Sequence, residues 1–115
     1  MKSQFVARLV SAAGTDNATL ARTGPRLVRQ ITGHNAAAAV RYLKLYNKAT
    51  APTVGTDTPV MTIALAASLP FNIQFPEEGL YFSLGLGYGL VTAAADNSTA
   101  AVTAADIVGL NILYN

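Results

Sequence analysis

From Leu80 to Val91 the chain alternates for twelve residues. Leu80, Phe82, Leu84, Leu86, Tyr88 and Leu90 fall on one face of an extended strand, and Tyr81, Ser83, Gly85, Gly87, Gly89 and Val91 on the other. Successive strand side chains point to opposite faces, so this pattern feeds an apolar row into a core, whereas on a helix the same residues would scatter around the axis. The second face is the stronger constraint, because it carries three glycines in alternation. Glycine inside a strand weakens it and marks a bulge, a bend or the close approach of another backbone. The segment predicts a strand that either curves sharply or has a tightly apposed neighbour.

The same period of two recurs along the chain and helical periodicity is hard to find. Phe5, Ala7 and Leu9 alternate with Val6, Arg8 and Val10; Met61, Ile63 and Leu65 with Thr62, Ala64 and Ala66; Phe71, Ile73 and Phe75 with Asn72 and Gln74. Residues 26–32, 40–47 and 106–114 also read as strands, and the last is nearly apolar on both faces, which predicts a central or interface position. Turn residues separate them at Gly14–Asn17, Thr23–Pro25, Gly33–Asn35, Pro76–Gly79 and Asp96–Thr99. The longest gap, Lys48 to Pro59, carries prolines that cannot donate to a sheet and predicts an exposed loop. Asn35–Ala39 predicts a single helical turn or a plain connection. The expectation is an all-β chain: one β-sandwich or jelly-roll domain of about eight strands over residues 1–115, with residues 1–25 supplying an N-terminal arm and the first strand.

Charged residues make up only 12% of the chain and apolar residues 51%, which leaves little strongly polar material to cover a small domain with a high ratio of surface to volume. Either part of the surface faces another subunit, or the exterior is a mildly polar mixture of Thr, Ala and Gly; large apolar surfaces favour the first. There is no cysteine, so no disulfide supplements the core and subunit association is the natural source of further stability. The N-terminus lacks the long apolar run of a secretory signal, and no stretch is long enough for a membrane helix, so a soluble protein without a membrane partner is expected. The bases Lys2, Arg8, Arg22, Arg26, Arg29, Arg41, Lys44 and Lys48 all precede residue 49, opposed there only by Asp16, for a balance of +7. The remainder carries Asp57, Glu77, Glu78, Asp96 and Asp106 and no base, for −5. Strands from the two halves that interleave in one sandwich would neutralise each other locally. The bases are not interleaved with stacking aromatics, so a nucleic-acid groove is not expected.

Catalytic material is sparse. His34 is the one histidine and lies in a Gly-His-Asn turn, with no sequence context for a triad. Gly85–Gly89 has neither the spacing nor the strand-to-helix context of a phosphate loop. Glu77–Glu78 reads as a solvated turn rather than a carboxylate pair, and Asp96–Thr99 lacks the acidic spacing of a calcium loop. No enzyme activity, metal or cofactor is expected. The tyrosines Tyr42, Tyr46, Tyr81, Tyr88 and Tyr114 are the candidates for recognition, and Tyr42 and Tyr46 share a strand face with Val40 and Lys44.

The segment Val40-Arg-Tyr-Leu-Lys-Leu-Tyr-Asn-Lys48, the loop Ala51-Pro-Thr-Val-Gly-Thr-Asp-Thr-Pro59 and the strand Phe82-Ser-Leu-Gly-Leu86 together resemble small tailed-bacteriophage virion proteins. The resemblance covers residues 26–115. It implies a structural β-sandwich subunit of a virus particle, homotrimeric, located in the virion and made in the host cytoplasm. As a capsid decoration, or cement, protein it would have itself and the major capsid protein or other virion proteins as partners; the alternative is a fibre or tail module that binds host carbohydrate. On this reading the candidate interface residues are Lys2 and Arg8 of an N-terminal arm together with Tyr42, Tyr46, Gly85, Gly87, Gly89 and Tyr114.

Overall fold

The structure, a computed structural model, describes residues 4–115. Nine strands and no helix are found among them: β1 (Phe5–Leu9), β2 (Thr19–Thr23), β3 (Arg26–Asn35), β4 (Arg41–Asn47), β5 (Met61–Leu65), β6 (Leu69–Gln74), β7 (Leu80–Phe82), β8 (Gly85–Val91) and β9 (Ile107–Tyr114). They form two antiparallel sheets compatible with a β-sandwich. The first, sheet A, has the order β1-β9-β3-β6, with β7 also paired to β3; the second, sheet B, has the order β2-β8-β4-β5.

Alternation builds the core from both sheets. Val28 and Ile31 of β3 and Leu110 and Ile112 of β9 face Leu43 and Leu45 of β4 and Leu86 and Leu90 of β8, all fully buried in one cluster. Each such side chain contributes about 1.5–3 kcal/mol over an exposed one. Residues 107–114 lie between β1 and β3, the central one of the two positions their apolar pattern allows. Asn35 and Ser11, taken into this interior, are paired. Asn35 donates to the Ala39 and Leu65 carbonyls at 3.1 and 2.9 Å while its Oδ1 accepts the Ala37 N–H. Ser11 Oγ accepts from Ile107 N at 3.1 Å. Such bonds remove the 1–3 kcal/mol that an unpaired buried group costs (on the order of).

Four expectations are corrected. Leu80–Val91 is not one strand: β7 belongs to sheet A and β8 to sheet B, and the chain crosses between them at Ser83–Leu84, which leaves Leu84 exposed rather than in the core. A two-fold alternation cannot register such a crossing, because both halves keep the same pattern. Thr19–Thr23 forms β2, which its mixed polar wording conceals. The Lys48–Pro59 loop is not simply exposed, since Pro52 and Val54 are buried. Arg8 does not lie in an arm but in the first strand that the alternation of Phe5, Ala7 and Leu9 predicts, where Phe5–Leu9 pair with Tyr114–Leu110 as the edge of sheet A. Residues 35–39 make a bent connection without a helical turn.

Candidate functional site

The outer face of sheet B explains the glycine row. On β8, Gly85, Gly87 and Gly89 turn away from the core and are buried nonetheless. A Cβ on Gly87 would lie 3.1 Å from Pro52 Cδ, one on Gly89 2.6 Å from Val54 Cγ2, and one on Gly85 would run into the Lys48 carbonyl while lying 2.9 Å from that of Arg22. The chain's own 48–57 loop therefore lies directly on the strand, in the space the missing side chains vacate. Of the two alternatives that the alternating glycines leave, a sharp curve or a tightly apposed neighbour, the structure has the neighbour.

Beneath the loop, Tyr46, Val54 and Val91 make a second small apolar cluster, with Ala18 and Tyr42 packed against it. Lys44 sits opposite Gly89 and is fully buried. Its ammonium donates to the Ala95 carbonyl, which ties the 92–100 loop to the same face. Burial lowers the Lys44 pKa, partly countered by the Asp96 carboxylate. The Tyr46 hydroxyl has no hydrogen-bond partner among the described residues. Its pKa is pushed up to about 12 by burial and by the carboxylates of Asp16, Asp57 and Asp96, so it stays a neutral phenol.

At the margin of the loop a cavity of about 240 Å³ is lined by Tyr46, Asn47, Lys48, Asp57 and Thr58. Its charges are already matched: Lys48 Nζ lies 2.7 Å from Asp57 Oδ2, which also accepts the Thr53 N–H at 2.7 Å. Those two bonds hold the Asp57 carboxyl below its ordinary value. Asn47 is equally committed, donating to Ser83 Oγ and accepting from Leu84 N at 3.0 and 2.8 Å. The cavity holds no nucleophile next to a base. Among the described residues, no three His, Asp or Glu side chains gather as a metal site, and His34 is an exposed residue of β3.

Sheet A presents a different outer face. Arg8, Asn111, Thr32 and Asn72 share one cross-strand row, linked by Gln30 Nε2 donating to Asn72 Oδ1 at 2.9 Å and Asn111 Nδ2 donating to Thr32 Oγ1 at 3.5 Å. Around this row Val6 and Val10 are just over half exposed, and Val108 is 40% exposed. Tyr81 is 58% exposed at the β7 end. No described segment of the chain covers these residues. At the β1 edge, Arg22 Nε donates to Tyr114 Oη at 3.1 Å and the guanidinium stands 5.7 Å from the centre of the Phe5 ring.

These placements sort the candidate interface residues. Arg8 is exposed on the bare face; Lys2 lies outside the described residues. Gly85, Gly87 and Gly89 are corrected, because the 48–57 loop already occupies the space above them. Tyr46 and Tyr114 are corrected too: they are 1% and 4% exposed, one beneath the loop and one in the core. Tyr42 is half-buried beside Tyr46. Tyr81, a recognition candidate in the sequence, is the exposed tyrosine, whereas Phe5 and Arg22 had no sequence signal as site residues. The Arg22–Tyr114 pair is 92 positions apart, and no local signal announces it. Charge halves do interleave as expected: Arg41 pairs with Asp106 at 2.8 Å and Lys48 with Asp57 at 2.7 Å.

No protein-family model, curated protein or solved structure matches the chain.

Proposed function

We propose that this chain is a structural subunit of a virus particle, a capsid decoration protein that associates with itself, as a homotrimer, and docks on the shell. The observation that carries this reading is the unequal treatment of the two outer faces. Sheet B is closed by the chain's own loops, while sheet A leaves Val6, Val10, Val108 and Tyr81 in the open around a polar row. A small domain that buries Pro52 and Val54 on one side yet exposes this many large apolar groups on the other has a surface suited to a partner. The phage-like wording of residues 40–59 and 82–86 supports the virion as the setting. A stiff double sheet with no catalytic constellation among the described residues suits a subunit that works by contact.

The second reading, a fibre or tail module that binds host carbohydrate, has Tyr81 in its favour, because it is the one tyrosine whose ring lies mostly open to solvent. The two readings differ in location and copy number. Cryo-electron microscopy of purified particles tests them: decoration requires many copies on the head, and particles lacking the protein should lose resistance to heat. A few copies at a tail tip would support the second reading, and absence from particles would overturn both.

A further inference from the structure

An acidic turn on the β6–β7 edge of sheet A stands level with Arg22, which β2 of sheet B holds against Phe5 and Tyr114 at the opposite, β1 edge, and we propose that the two meet between copies of the chain. The acidic bulge Pro76–Gly79 of one subunit docks on the Arg22–Phe5 corner of the next, in a head-to-tail contact that closes into a ring. This inference rests on the reading of the protein as a self-associating subunit and gives that association its surface.

The acidic side is built by an interrupted edge strand. β6 pairs with Gln30–Asn35 of β3 and β7 with Arg26–Val28 of the same strand, in the same direction. The four residues Pro76-Glu77-Glu78-Gly79 between them therefore bulge from a continuous edge. Gly79 (φ +99) makes the return possible, since a Cβ there would strike the Val28 carbonyl. Pro76, Glu77 and Glu78 are exposed.

The basic side lies on the opposite edge. The pairing rung Phe5–Tyr114–Val28–Leu80 crosses the sheet at the level of Arg22, and the rung Val6–Leu113–Gln30–Gln74 lies just above it. The bulge leaves the edge between those two rungs. Three strand spacings, about 14 Å, separate the edges, and the described residues contain no ion pair for Arg22, Glu77 or Glu78. Arg22 is held in place by Tyr114 Oη and the Phe5 ring, with its terminal nitrogens left for a carboxylate.

Symmetry fits this arrangement. β1 is antiparallel to β9, β9 to β3 and β3 to β6, so β1 runs opposite to β6. Rotation about an axis along the strands preserves height and brings β1 of one copy beside β6 of the next, antiparallel, with the bulge at the Arg22 corner. A contact between two different patches of the same chain is heterologous and yields a closed ring when the rotation closes. Pro70 and the bulge blunt β6 against continuous backbone pairing, so side chains rather than a shared sheet carry the contact.

The test uses the full chain in sedimentation equilibrium at physiological salt, with circular dichroism as a check on folding. The wild type should sediment as a multiple of 12.0 kDa. Arg22→Glu and the pair Glu77→Lys with Glu78→Lys should each weaken association by about tenfold or more, the effect of like charges set against each other. Combining all three substitutions should restore it. A monomeric wild type would overturn the proposal, as would an unchanged mass in either reversed variant or a combined variant no tighter than its parents. The acidic pair lies on an exposed turn, so it remains informative should Arg22→Glu disturb the edge. A monomer found on particles sinks the ring alone, and a ring absent from particles sinks the virion reading alone.

Discussion

The outer faces of the two sheets are built from the same kind of strand and end in opposite states. On sheet B, β8 presents glycines beside Tyr42, Lys44 and Tyr46 of β4, and the 48–57 and 92–100 loops lie down on them. On sheet A, every position of the row Arg8, Asn111, Thr32 and Asn72 carries a side chain, and the valines beside it stay exposed. A loop backbone can reach van der Waals distance of a strand only where side chains are missing. Glycine placement thus decides which face the chain covers with its own loops and which it leaves open.

The sharpest way to break this comparison is to fill the glycine face. Gly85→Val places its side chain against the Lys48 and Arg22 carbonyls, backbone atoms that cannot rotate away. It should cost about 3 kcal/mol in urea unfolding. A cost under about 1 kcal/mol would mean that the loop does not sit on β8.

Next in size is the tie between the sheets. Burial pushes the Asp106 carboxyl up, but the Arg41 guanidinium and the Thr103 N–H outweigh it and hold the pKa below its usual value. A depressed folded pKa contributes stability that is present above the unfolded value of 3.8 and lost as pH falls through the folded value. Asp106→Asn should cost about 2 kcal/mol at neutral pH and flatten the acid limb of the stability profile. An acid limb unchanged in the variant would assign the loss to other carboxylates.

Val54→Ala removes two methyl groups' worth of cover from the Tyr46 cluster and should cost about 1.5 kcal/mol. Lys44 gives a smaller effect of the same pH sense, at the alkaline end. Its folded pKa is lowered from 10.5 by burial, so the unfolded chain binds the extra proton between the two values and stability rises with pH up to about 10.5. Lys44→Met should abolish that rise in thermal melts at alkaline pH. Smallest of all on stability is Val108→Lys on the bare face, within about 0.5 kcal/mol. The same substitution should nevertheless abolish binding to capsids, measured by co-sedimentation with particles lacking the protein. A large loss of stability with binding intact would reverse the roles assigned to the two faces.

Much of this was legible in the residues and some of it was not. The strand class, a central or interface place for 106–114, and a bend or a close neighbour at Gly85, Gly87 and Gly89 followed from alternation, because side-chain direction on a strand depends only on parity. The crossing at Ser83–Leu84 was hidden for the same reason: parity continues when a chain passes from one sheet to the other. Tyr46 and Tyr114 read as surface aromatics because a tyrosine looks the same in sequence whether its ring meets solvent or a loop 8 residues further on, as Val54 does for Tyr46.

The sequence by itself determined that this chain is all-β, that its core comes from alternating apolar faces, and that the glycine row of β8 goes with either a sharp curve or a close neighbour. Only the tertiary structure decided that the cover is the chain's own 48–57 loop, that sheet A is left bare, and that Arg22 and the Pro76–Gly79 bulge stand at one height on opposite edges. Local pattern sets which way a side chain points. Which segment meets it depends on contacts across tens of residues, and strand order is what establishes those.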